Sequence, residues 1–269
     1  MSKGIKRKRE KSVISMTDNP DKLITNIFAN RTLNTVKSGV LTISAYSNFY
    51  PVCYKEGNEI KGLDVDIMKL FCELSGLKLH LIEEKHFSDI WLKPIEGKSD
   101  TSIGGIGITP SRTTNDTEWT IPYFYVYRTL IYNKNNPLTG LKDVTGIVSG
   151  TKGSTGFIDA QIKLKKLNKS KYLKGGDTDE KDIQNLLSGK IQGLMRGSFV
   201  GVALCKKYPK QLGMVKPWSI DDKLVSSDGE CFSYPCHKDS GVAQMLSCLI
   251  ITLINNGGLV KLIKKYKLE

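Results

Sequence analysis

Between residues 41 and 81 the apolar residues change period twice, and that change constrains the fold of this 269-residue chain more than any other feature. Leu41, Ile43 and Ala45 alternate with Thr42 and Ser44, the period-two pattern of a strand. Ile67, Leu70, Phe71 and Leu74 then recur at helical spacing. Asp64 and Asp66 stand near the start of that helix, where its dipole favours negative charge, and Gly76 supplies a stop. Leu77, Leu79 and Leu81 alternate again, with Lys78 and His80 on the solvent side. A strand, a turn at Asn58–Gly62, a helix and a second strand predict an α/β sheet.

The same grammar returns later in the chain. Gly97-Lys98-Ser99-Asp100 precedes a strand over Thr101–Ile103, and Ser188-Gly189-Lys190 precedes Gly193-Leu194-Met195 after helically spaced Ile183, Leu186 and Leu187. Two lobes of similar construction produce such an echo. Tyr123–Tyr132 reads as the strand connecting them. Val242, Met245, Leu246, Leu249, Ile250 and Leu253 predict an amphipathic helix that Asn256-Gly257-Gly258 ends, followed by a short basic helix over Leu259–Tyr266.

Several chemistries are excluded by spacing. Gly97-Lys98-Ser99 lacks the first glycine of a phosphate loop, because Leu92 holds that place. Gly150, Gly153 and Gly156 have the wrong spacing for a dinucleotide fingerprint, although Ser154 or Thr155 can cap a helix there and offer its N–H groups to an anion. Lys152 stands where a nucleophile elbow around Ser154 needs glycine. Cys231, Cys236 and His237 form a metal-like cluster without a second pair, so no metal and no cofactor are expected. The stretch Gly104-Gly105-Ile106-Gly107-Ile108-Thr109-Pro110-Ser111-Arg112 stands apart. Its glycines let a ligand approach the backbone, Pro110 breaks the strand, and Arg112 offers a planar fork that matches a carboxylate.

The net charge of +13 favours anionic partners without naming one. Lys6-Arg7-Lys8-Arg9 reads as part of a solvated tail, and no nucleic-acid partner is expected. The following Ser12–Asp18 is too polar for a secretory signal, and Met245–Ile254 is too short to span a bilayer, so the chain reads as intracellular, with its six cysteines as reduced thiols.

Four motifs, in order and at the right spacing, resemble the polar-amino-acid solute-binding proteins, a family usually periplasmic or extracellular. Gly62-Leu63-Asp64-Val65-Asp66-Ile67 is similar to that family's G-F-D-V-D-L. Gly97-Lys98-Ser99-Asp100 is similar to its S-G-K-F-D. Gly105–Arg112 with Pro122-Tyr123-Phe124 is similar to its G-M-T-I-T-P-E-R and the aromatics after it. Asn256-Gly257-Gly258-Leu259 with Lys264-Lys265-Tyr266 resembles its closing D-G-T-L and K-W. The resemblance implies a two-lobed α/β fold of the periplasmic binding protein type II kind, with a hinge and an interlobe cleft. Residues 1–37, polar and basic, read as a flexible leader, and the resemblance implies a first lobe from 38–130 and 234–269 and a second lobe from 131–233, with the second crossing near Cys231–His237.

Carried over, Arg112 is the grip for a ligand carboxylate, with Gly105 and Gly107 as backbone contacts beside it. Phe49 stacks on the ligand, Phe87 forms a second wall, and Gly153 and Ser154 are an anion contact in the second lobe. Two positions depart from the pattern: Tyr46 and Gly197 stand where acidic groups hold an ammonium, and Arg196 precedes the second. An ammonium left without an acid costs several kcal/mol in a desolvated cleft. The expectation is therefore a small anionic or zwitterionic, carboxylate-bearing ligand, more anionic than a standard amino acid (a small carboxylate, a dicarboxylate or an acidic amino acid), bound by a monomer that serves a membrane transporter or a sensor. A cyclohexadienyl dehydratase-like enzyme is the alternative; it needs a carboxylic acid in the cleft. The strand end Arg196–Val200 supplies none, and Glu230, near the hinge, has no spacing that places it.

Overall fold

The computed structural model describes residues 27–28, 32–176, 179–220, 222–225 and 229–268. The basic run at residues 6–9 and most of the expected leader lie outside that set. Phe28, at its end, is buried edge-on against Phe71 with ring centroids 5.3 Å apart. Val36 N–H donates to Asp100 Oδ1 at 2.6 Å, so the first lobe holds the chain before its first long strand begins.

The chain folds into two five-stranded sheets of the same design. In the first, Val40–Tyr46 lies between Lys78–Glu84 and Thr101–Ile103, all parallel, and Pro235–His237 and then Thr117–Trp119 close the edge antiparallel. In the second, Val148–Thr151 lies parallel between Leu173–Gly176 and Gly193–Gly197, and Arg128–Asn133 and Leu212–Met214 complete the edge. The echoed Gly-Lys turns each lead into the third parallel strand of a sheet. The strand expected from the alternation at Leu41–Ala45 forms, and Thr42 and Ser44 are buried along with its apolar residues. Crossovers cover both faces of a parallel sheet, so its central strand meets no solvent.

Helix Leu63–Ser75 buries Leu63, Val65, Ile67, Met68 and Phe71 and ends at Gly76, in the left-handed region with φ 71°. Helices Thr155–Lys166, Asp179–Leu187 and Ser198–Lys207 cover the second sheet, and Val242–Asn255 and Gly258–Lys265 return to the first lobe. There Lys265 Nζ and Tyr266 OH reach Asp66 Oδ2 at 2.6 and 2.7 Å.

The expected strand over Tyr123–Tyr132 is two strands, Phe124–Tyr125 and Arg128–Asn133. The first pairs antiparallel with Cys231–Phe232, which sets the outward and returning crossings side by side between the lobes. Among the described residues no single helix is long and apolar enough to cross a membrane, and all six cysteines are free thiols.

Candidate functional site

The cleft is built where the first lobe's strand Thr101–Ile103 ends in Gly104 and Gly105. Gly105 has φ 67°, and a Cβ added there would lie 2.5 Å from a ring carbon of Phe49. Only glycine lets the backbone turn that close to the ring. Asp64, placed near a helix start as its sequence position indicates, is fully buried. Its Oδ2 accepts the Gly104 and Gly105 N–H groups at 2.8 and 3.1 Å, and its Oδ1 accepts Tyr123 OH and Tyr234 OH at 2.5 and 3.2 Å. The two tyrosine rings stack at 4.5 Å. Burial pushes this carboxyl up to about 6, and the four hydrogen bonds hold it back from going further.

Arg112 ends the short 3₁₀ turn Pro110–Arg112, and its side chain turns inward to 3% exposure. Nη1 donates to Gly107 O at 2.8 Å within its own lobe. Nη2 donates to Gly153 O at 2.9 Å in the second lobe. The guanidinium lies 4.4 Å above the Trp91 ring and 5.4 Å from that of Phe87, a favourable seat for a cation. Desolvation pushes its pKa down to about 9. Among the described residues no carboxylate stands within ion-pair distance of it.

Two further buried arginines converge from the second lobe, each with an acid. Arg196 Nη2 meets Asp182 Oδ2 at 3.1 Å. Arg128, at the start of its strand, pairs with Glu230 and bonds Thr155 Oγ1. Thr155 Oγ1 in turn donates to Glu230 Oε1 at 2.5 Å. Burial, then repulsion from Arg112, brings Arg128 down to about 9. Arg128 Nε and Glu230 Oε2 are buried without a hydrogen-bond partner among the described residues.

Seven of the nine residues expected at the site, Tyr46, Phe49, Phe87, Gly105, Arg112, Ser154 and Arg196, border one narrow cavity of about 30 Å³. Gly107 and Gly153 lie beside it, where their carbonyls accept from Arg112 rather than facing the void. Ser154 is the cap of helix Thr155–Lys166, accepting from Phe157 N–H at 3.1 Å. Tyr46 meets Phe87 edge-on at 5.3 Å, and Phe49 meets Phe232 at 6.0 Å, so the walls are aromatic. Arg128 and Thr155 also line the cavity and were not expected there. One signal was available: Arg128 is the lone charge in an apolar and aromatic run, and buried charges are rarely without purpose. A larger void of about 400 Å³ lies on the first lobe by Phe28, Leu33 and Leu77, and among the described residues no charged side chain lines it.

The family model described as bacterial extracellular solute-binding proteins, family 3, matches residues 41–269. The probable amino-acid-binding protein YxeM of Bacillus subtilis (strain 168) is 26% identical over 238 residues, covering 84% of this chain and 83% of that protein. An ancestral arginine-binding protein bound to arginine superposes with a TM-score of 0.73 at 23% identity, covering 85% of this chain and 98% of that one. The ancestral amino acid-binding protein AncCDT-1, a precursor of cyclohexadienyl dehydratase, gives 0.71 at 20% identity over 85% and 95%.

Proposed function

Because the chain belongs to the bacterial extracellular solute-binding proteins of family 3, we propose that it binds a small carboxylate-bearing solute, an amino acid or a small organic acid, between its lobes for a membrane transporter or a sensor. One observation carries the reading: Arg112 is a buried cation held by two carbonyls and two aromatic faces, while Arg128 and Arg196 each have an acid. Desolvating a guanidinium without a counter-charge is unfavourable, and an arriving carboxylate supplies that charge. A charge-assisted bond of this kind contributes about 1.5–3 kcal/mol net.

The same arginine couples binding to closure. Its fork spans from Gly107 in one lobe to Gly153 in the other, so a carboxylate held on it is held by both. The aromatic walls at Tyr46, Phe49, Phe87 and Phe232 suit the apolar part of a small solute and exclude water from the ion pair.

The lyase alternative needs a carboxyl group that gives a proton to the departing hydroxyl. Glu230 stands behind the cleft-lining Arg128 and Thr155, where it accepts from Thr155 and pairs with Arg128, so it is set as an acceptor, and we rank binding first. Release of an aromatic product from prephenate would reverse that ranking.

Calorimetric titration with L-amino acids, small organic acids and their methyl esters tests the proposal. One-to-one binding of a free acid, abolished in its ester, is expected. No binding across the panel, or equal affinity for acid and ester, would overturn it.

A further inference from the structure

Glu230 lies just before the crossing strand Cys231–Phe232, with only 2% of its side chain exposed. Its carboxylate sits against Arg128 and takes the Thr155 hydroxyl at the first residue of helix Thr155–Lys166. It is also close to the carboxylate grip. A Cβ on Gly107 would stand 3.7 Å from Arg112 Nη1 and 3.8 Å from Glu230 Oε1, so both groups flank the same glycine. A guanidinium, a hydroxyl and the start of a helix together make a seat for an anion, and here the chain fills that seat itself.

Resting on the binding role proposed above, we infer that Glu230 sets the charge of the ligand: it holds the second anion seat, so the cleft takes one carboxylate at Arg112 and refuses another. A second ligand carboxylate beside Arg128 meets Glu230 at short range in a dry cleft, where like charges repel strongly. A neutral carboxamide meets complementary groups. Its carbonyl can accept from Arg128, which lines the cavity, and its N–H groups carry no charge for Glu230 to repel. Specificity of this kind comes from a repulsive group aimed at the wrong ligand. The ligand class is thus a monocarboxylate or a zwitterion with a neutral side chain, and the dicarboxylates are excluded.

The test uses pairs that differ only in this charge: L-glutamine against L-glutamate and L-asparagine against L-aspartate, titrated into the wild type and Glu230→Gln. In the wild type the amide member binds at least tenfold tighter. In Glu230→Gln, which leaves Arg128 without its acid, the acid-to-amide affinity ratio rises at least tenfold. Where the wild type takes up neither member, capture of the acidic member by Glu230→Gln alone supports the inference, and its failure there overturns it. An acid bound by the wild type as tightly as its amide, or a ratio unmoved by the substitution, also overturns it. The wild-type comparison needs no variant and stands if Glu230→Gln does not fold. Neither result bears on the binding role itself, which fails only if the wild type binds no carboxylate-bearing solute.

Discussion

Asp64 gives the sharpest quantitative expectation, because one buried carboxyl ties the cleft loop at Gly104–Gly105 to the tyrosine pair behind it. Its pKa is about 6 in the folded protein, against 3.8 for the free side chain, and burial is the leading cause. The sign follows from that direction. The folded state holds its proton more tightly than the unfolded chain, so stability from this group is complete below pH 3.8 and is lost as pH rises through about 6. Ionisation at pH 7 therefore costs the folded state about 3 kcal/mol, and at pH 5 about half of that. The substitution Asp64→Asn removes the titration while keeping an acceptor for the glycine N–H groups and donors toward the tyrosine oxygens. Thermal melts of both proteins at pH 7 and pH 5 isolate the effect as a difference. Acidification should favour the wild type over Asp64→Asn by about 1–1.5 kcal/mol, roughly 2–5 °C in melting temperature for a chain of this size. A difference that stays flat, or moves toward the variant on acidification, would mean that Asp64 does not titrate in this range in the folded protein.

Three shorter expectations concern packing, thiols and capping. Gly105→Ala combines a left-handed backbone with a methyl 2.5 Å from the Phe49 ring, and should cost about 2–4 kcal/mol in denaturant unfolding while displacing Phe49 and weakening ligand binding. A loss under about 0.5 kcal/mol would contradict the close approach. Thiol titration should find six groups in denaturant but quick reaction only at the half-buried Cys205 and Cys248 in the native protein, since Cys53, Cys72, Cys231 and Cys236 are buried away from the reagent. Fewer than six in denaturant would mean a disulfide. Ser154→Ala removes a helix cap beside the cleft and should cost about 1 kcal/mol in the same unfolding assay; an unchanged midpoint would contradict the cap.

Much of the fold was legible because it rests on local pattern. The helix Leu63–Ser75, its stop at Gly76 and the C-terminal helix Val242–Asn255 fall where apolar spacing and glycines put them. The echo of Gly-Lys turns was readable as two lobes because equivalent strands need equivalent entries. The cleft was legible only where one segment carries it, as Gly104–Arg112 does. The Arg128–Thr155–Glu230 cluster was not, since its members come from a strand, a helix start and a hinge crossing far apart in the chain. The burial of Asp64 was not legible for a related reason. An acid in a helix's first turn is ordinarily a solvated partner of the dipole, and only the tertiary fold brings Gly104, Tyr123 and Tyr234 around it.

The proposed role of the buried Arg112 guanidinium, as the grip for a ligand's carboxylate, is read out by Arg112→Met. Methionine keeps an unbranched apolar stem against Trp91 and Phe87 and removes a desolvated charge. Calorimetry with the tightest wild-type ligand, paired with unfolding of the ligand-free proteins, gives both readouts. At least a tenfold loss of affinity is expected, with ligand-free stability equal to or above that of the wild type. Unchanged affinity in a folded Arg112→Met protein would contradict that role.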